Sequence, residues 1–496
     1  MSDELGARLR AALQAADYTY DSVAGLLGPE AHLALSRNET TPGLGAAGGG
    51  SATETLTRLW LLQATVPTTA AEAALPGLVD QLCAAGILER SISEVAARVD
   101  LRPYGTDAGA DLWVASDLTP GLDGAPQRVD ADHVLGISPA ATSLAELTAR
   151  TPVARALDLG TGCGVQSLHL ATHVDGVVAT DVNSRALWLA GLNADLNEIE
   201  LDLRQGSFFD PVAREDFDLI VTNPPFVISP ATGERLVYRD SGLPGDRAVE
   251  HIVRTAPGHL VPGGLCQVLA NWLILDGEPW QDRLAGWMAG SSDTEQAACD
   301  AWVVQRELVD LPTYVELWLK DAGLHPSTGN RDVAEYRRRY DTWLSWFDEI
   351  GARAVGFGWI NLRRTDAEPR LRLEEWPYEV AQPLGAEVVD HFARVDVLRG
   401  LDDAGLAAAR LTLRPDVRQE TLGAPGAEDP GQIVLRQQIG IRRARQVDTA
   451  EAAFVGACDG ELTVGQLLAA VEQLTGSTVS TDTVRELVEE GFLSID

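Results

Sequence analysis

Asp158-Leu159-Gly160-Thr161-Gly162-Cys163-Gly164 marks the centre of an α/β fold. Before it, Ala154-Arg155-Ala156-Leu157 leads in as a short strand. After it, Val165-Gln166-Ser167-Leu168-His169-Leu170-Ala171-Thr172 reads as a helix. Strand, glycine loop and helix is how an α/β fold brings its backbone close to a nucleotide. Glycines remove the Cβ atoms that would block that approach. A dinucleotide fold calls for Gly or Ala three residues after Gly162. Val165 stands there, which points to a ligand without a pyrophosphate. A second strand, Gly176-Val177-Val178-Ala179-Thr180, ends at Asp181, about 20 residues past the first glycine. A carboxylate there accepts both hydroxyls of a ribose. The alternative role for Asp181 is to cap the helix that starts near Ser184.

Downstream, Phe217-Asp218-Leu219-Ile220-Val221-Thr222 reads as a buried strand and runs into Asn223-Pro224-Pro225-Phe226. Neither proline has an N–H to donate, so the chain leaves the sheet at Asn223. That exit places an amide side chain, backbone carbonyls and an aromatic ring together. The set suits a planar, weakly basic nitrogen: two acceptors for its N–H bonds and a ring to stack on. The plainer reading is a rigid turn.

Together these segments resemble the class I S-adenosylmethionine-dependent methyltransferases that modify planar nitrogens. That group includes the release-factor glutamine, ribosomal RNA guanine-N2 ("methyltransferase small") and adenine-N6 enzymes. The resemblance covers about residues 153–361 and implies a Rossmann-like α/β fold with S-adenosyl-L-methionine as cofactor. It implies cofactor contacts from Asp158, Gly160, Thr161, Gly162, Gly164, Asp181, Ser207, Phe208 and Asn223. Catalysis is implied at Asn223, Pro224, Pro225 and Phe226. Gln205-Gly206-Ser207-Phe208-Phe209-Asp210 sits where the family reads the adenine; Gly206-Ser207 replaces the usual Gly-Asp pair, so Ser207 or the Phe208 backbone takes that contact. Arg239 and Asp246, in the polar loop after the acceptor motif, are weaker candidates for acceptor contact.

Further strands are expected at 201–204, 265–270, 301–304 and 354–360, with helices over 184–197 and 247–257. Between the last two strands lie Tyr314, Trp318, Tyr336, Tyr340, Trp343, Trp346 and Phe347 at helical spacing, which reads as core rather than a lid.

The 496 residues are 45% hydrophobic and 23% charged, an ordinary globular balance. They divide into an N-terminal α+β accessory domain (1–130), a methyltransferase domain (131–365) and a C-terminal α+β, winged-helix-like domain (366–496). The winged-helix reading of both flanks rests on Leu78–Leu88 and Val484–Leu493, where a helix stops at Gly86 or Gly491 before two apolar residues. Residues 43–51 read as a flexible loop. No segment approaches a membrane span, and the first residues lack a signal-peptide pattern. Five scattered cysteines show no metal spacing or disulfide framework, which suits the cytoplasm. His169 and His173 read as surface histidines.

The net charge of −34 opposes simple phosphate-backbone binding. Arg337-Arg338-Arg339 and Arg442-Arg443-Ala444-Arg445 are the notable basic clusters and read as solvated faces. The expected partner is a macromolecular methyl acceptor. The flanks lean toward a nucleobase amine, which takes the lead. The charge leans toward a protein glutamine amide, such as that of a translation factor. The competing class is a non-catalytic regulator that keeps the cofactor pocket.

Overall fold

Eight strands form one mixed sheet in the computed structural model, which describes residues 3–106, 109, 111–124, 132–225, 227–230, 243–289, 297–328, 332–425 and 431–495. They are β1 (Val153–Leu159), β2 (Val174–Asp181), β3 (Leu201–Gln205), β4 (Phe217–Thr222), β5 (Leu260–Leu275), β6 (Cys299–Asp310), β7 (Ala352–Arg364) and β8 (Leu371–Glu375). Their order is β3-β2-β1-β4-β5-β7-β6-β8. The first five run parallel, while β7 lies antiparallel between β5 and β6. The order reverses between β1 and β4. A ligand crevice forms at such a switch point, outside the carboxyl ends of the strands.

Buried apolar runs explain why these segments pair. β4 buries Phe217, Leu219, Ile220 and Val221, as a parallel strand covered on both faces should. The helices that cross over are α1 (Val165–Leu170), α2 (Ser184–Asn197) and α3 (Arg247–Thr255). Two further helices, α4 (Leu311–Asp321) and α5 (Val333–Glu349), lie between β6 and β7. Their Tyr314, Trp318, Trp343 and Phe347 are buried together with Val227 and Ile228. This aromatic insertion is core, as its spacing predicts.

Residues 1–145 and 152–375 form one compact unit; residues 146–151 and 376–496 form a second. In the first, N-terminal residues such as Leu9, Trp60 and Leu101 share one hydrophobic core with Val165, Leu189 and Leu192 of the crossover helices. Several local expectations change here. Residues 43–51 are not a loop throughout, because a helix spans Thr41–Ala46 and Gly43 packs on Leu27 and Leu62. Residues 94–105 form two short strands, Glu94–Ala97 and Asp100–Gly105. His169 is buried, and its Nε2 lies 2.9 Å from the Tyr104 hydroxyl.

The second unit contains two three-stranded sheets and capped helices. Thr463 and Gln466 form a capping box at the start of Val464–Thr475, and Ser480 caps Thr481–Glu489. The helix stops at Gly86 and Gly491 have the same wiring. Both glycines have positive φ, and Ile87 and Phe492 each donate to the carbonyl five residues earlier.

Candidate active site

A cavity of about 830 Å³ opens at the switch point. Asp158 to Gly162 line one side, Asp181 and Asn183 another, and Gly206 to Phe208 a third; Thr222 to Pro225 close the end of β4. The structure therefore brings together the sequence-predicted Asp158, Gly160, Thr161, Gly162, Asp181, Ser207, Phe208, Asn223, Pro224 and Pro225 around one space. Phe226 and Arg239 lie outside the described residues.

The glycine loop is shaped by left-handed backbone. Gly160, Gly162 and Gly164 have φ of 74°, 56° and 87°. Gly164 does not line the cavity. A Cβ there would stand 3.2 Å from Ala190 Cβ, so this glycine lets α2 close onto the start of α1. Asp158 braces the loop from beneath. Its Oδ2 accepts from Thr161 Oγ1 (2.6 Å), Ser167 N (2.9 Å) and Ser167 Oγ (2.6 Å). Burial outweighs these bonds and pushes its pKa up to about 6.

Asp181 ends β2 with Oδ2 accepting Gly162 N (3.0 Å) and Oδ1 accepting Asn183 N (2.8 Å). With four lone-pair sites, the carboxylate keeps accepting capacity for a hydroxyl beside these backbone donors and Val182 N. Burial raises its pKa. The capping role belongs to Asn183, whose side chain accepts from Arg185 N at the start of α2. Ser207 is exposed at the rim; Phe208, at φ 44°, sets its ring edge-on to His251 at 4.7 Å.

At the end of β4, Thr222 Oγ1 donates to Leu159 O (2.7 Å) and ties β4 to β1 where both strands stop. Among the described residues, nothing donates a hydrogen bond to the buried Asn223 Oδ1. Such an acceptor is costly unless something donates to it. Asp246 has a structural task rather than acceptor contact. It is buried, pairs with Arg283 through both oxygens and accepts Leu273 N.

One wall was not legible in the sequence: residues 132–141. Asn183 Nδ2 donates to Asp132 O, Gln166 Nε2 to Ala141 O, and Val134 N to Asp117, which also binds Arg185. No motif marks this segment, since its contacts are mostly through backbone.

The donor set fits an adenosyl ligand: a carboxylate with spare accepting capacity at a strand end, a glycine-rich loop and an apolar-edged rim. Comparison with known proteins agrees. Residues 137–275 match the methyltransferase small domain, residues 15–98 a domain of unknown function (DUF7059) and residues 389–495 another (DUF7782). The ribosomal protein uL3 glutamine methyltransferase of Bradyrhizobium diazoefficiens is 30% identical over 32% of this chain and 53% of its own length. The release factor glutamine methyltransferase of Gloeobacter violaceus is 35% identical over 23% of this chain and 44% of its own. The chain thus spans about half the length of these curated relatives. The release factor glutamine methyltransferase of Deinococcus radiodurans is 31% identical over 40% of this chain and 72% of its own length. With a relative matched over that share, this chain belongs to the class I S-adenosylmethionine-dependent methyltransferases.

Proposed function

We propose that this chain methylates the side-chain amide nitrogen of a glutamine in a protein acceptor. Asn223 carries the reading: it lines the cavity, and its buried Oδ1 has no partner among the described residues. It wants an N–H donor, and a primary amide offers two on a planar nitrogen. S-adenosylmethionine, when bound, supplies an electrophilic methyl group on a sulfonium. Asp181 would take the ribose hydroxyls, the Gly160–Gly162 backbone would lie against the ligand, and Ser207 and Phe208 would border the adenine. Asp158 supports the loop.

The acceptor end asks for alignment and electrostatics, not covalent catalysis. Asn223 Oδ1 and the Pro224 carbonyl would accept the two amide N–H bonds. That pulls electron density onto nitrogen and holds its lone pair toward the methyl. Transfer would form one N–C bond as one S–C bond breaks, and the nitrogen would shed a proton to water.

Glutamine is favoured over the nucleobase on two grounds. The relatives named above are glutamine methyltransferases. All the arginines of the two basic clusters except the exposed Arg337 also have partners within the chain. Arg338 and Arg339 pair with Glu335, Arg445 with Glu486 and Glu490, and Arg442 with Glu379; Arg443 packs its guanidinium over Trp376. Those arginines offer little free charge to a phosphate backbone. The winged-helix-like flanks are the feature that favours a base, and we take them as modules that present the acceptor.

The test is transfer of labelled methyl by the purified chain into a lysate lacking it. Label that resists nuclease, is lost to protease and leaves as methylamine on acid hydrolysis supports the amide. Label lost to nuclease transfers the assignment to a base. No label with an intact cofactor site makes the chain a regulator.

A further inference from the structure

The strand Asp111–Ser116 pairs on one side with Asp100–Gly105, and among the described residues no strand lies on its other side. An open edge exposes N–H and C=O groups that must find partners. Two asparagines of α2, one helical turn apart, fill that role. Asn193 Oδ1 accepts Ala115 N (2.6 Å) and its Nδ2 donates to Ala115 O (2.9 Å). Asn197 Oδ1 accepts Trp113 N (2.9 Å) and its Nδ2 donates to Trp113 O (2.8 Å). The side-chain amides thus stand in for a neighbouring strand.

The two asparagines differ in where their remaining amide bond goes: that of Asn197 stays on α2, at Asn193 O (2.7 Å). Asn193, 0% exposed, sends its second N–H to Cys163 O at 2.7 Å, inside the glycine loop. All its hydrogen-bonding capacity along that face is committed to two backbones at once. Three residues earlier on α2, Ala190 is the group against which Gly164 closes. We propose that Asn193 is a positioning residue that ties the cofactor loop to the N-terminal edge strand, so that cofactor binding and docking of that strand are coupled. The proposal rests on the cofactor reading above. Coupling of this kind is reciprocal: a ligand that tightens the loop also tightens the strand.

The test compares Asn193→Ala with Asn197→Ala in the full chain, using S-adenosylhomocysteine as the calorimetric probe. Both variants lose two bonds to the edge strand, and both lower the unfolding temperature. Only Asn193→Ala also loses the loop bond. Its Kd is expected to rise about tenfold, the scale of one buried hydrogen bond, while that of Asn197→Ala stays within about twofold. Equal Kd values for the two variants would overturn the coupling. Hydrogen exchange on the unmutated chain gives a second reading that does not depend on a variant folding. Saturating S-adenosylhomocysteine is expected to slow exchange at Trp113 and Ala115 as well as in residues 160–164. Slowing confined to the loop would also overturn the proposal. An unmutated chain that fails to bind the probe removes the cofactor reading itself, and the coupling with it.

Discussion

The Tyr314 hydroxyl accepts the backbone N–H of Ile228 at 2.8 Å, across 86 positions of sequence. Tyr314 is fully buried in the aromatic insertion, and Ile228 is five residues beyond Asn223. The insertion therefore holds the chain just after it leaves β4, and so bears on where Asn223 points. Tyr314→Phe leaves the Ile228 N–H buried and unsatisfied, at a cost of about 1–3 kcal/mol. Turnover is expected to fall by about tenfold while S-adenosylhomocysteine still binds with the same Kd. A loss of affinity equal to the loss of turnover would place the effect on the cofactor side instead.

Asn223→Ala removes the orphaned acceptor at the end of β4. The proposed clamp then has one carbonyl left, and the rate is expected to drop about 10²–10³-fold, as when one oxyanion-hole donor is deleted. Cofactor affinity should be preserved. Steady-state turnover beside calorimetry of S-adenosylhomocysteine separates the two; full methylation by this variant would remove the clamp.

Asp181→Ala does two things at once. It removes the proposed ribose acceptor, and it leaves Gly162 N without the carboxylate that orders the loop. Cofactor Kd is expected to rise by more than tenfold, and KM for S-adenosylmethionine with it. The helix start at Ser184 should survive, because Asn183 caps it. Circular dichroism unchanged beside a weakened Kd is the expected pair of results.

Asp158 gives a pH dependence with a definite sign. Its folded pKa of about 6 lies above the ordinary 3.8, so the folded chain holds the proton more tightly than the unfolded one. Its contribution to stability is complete below pH 4 and is lost as pH rises toward 6, with little change beyond. The loss is about 3 kcal/mol. Asp181, also raised by burial, adds a change of the same sign. The stability of the unmutated chain relative to Asp158→Asn should therefore fall between pH 4 and 6. Urea midpoints taken across that window measure it, and a flat difference would contradict the burial argument.

Gly164→Ala puts a Cβ 3.2 Å from Ala190 Cβ and 3.3 Å from its Cα, at a φ of 87°. Left-handed backbone alone costs a non-glycine residue about 1–2 kcal/mol. The packing clash adds to it, since backbone cannot swing aside. A thermal midpoint lower by several degrees is expected, together with weaker cofactor binding because the loop shifts.

The chain's local chemistry announced much of this. Glycines at 160, 162 and 164, an acid at a strand end and two prolines after an apolar run are constraints that act within a few residues. Backbone conformation and hydrogen-bonding capacity are fixed there by residue type, so the strand–loop–helix and the exit from β4 could be read directly. The aromatic spacing likewise marked the α4 and α5 core.

Other features depend on residues far apart in the chain and arise only when those residues pack together. Asn183 rather than Asp181 caps α2, because the fold turns the Asp181 carboxylate back to Gly162 N, 19 positions away. Asp246 is consumed by Arg283 and Leu273 N, so its place in a polar loop says nothing of its task. The wall at 132–141 is held largely through backbone carbonyls, which every residue type possesses and no sequence pattern can flag. Asn193 looks like any polar residue on a helix until its amide is seen between two backbones. A side chain's identity limits what it can bond; which partner arrives is settled by the packing of distant segments.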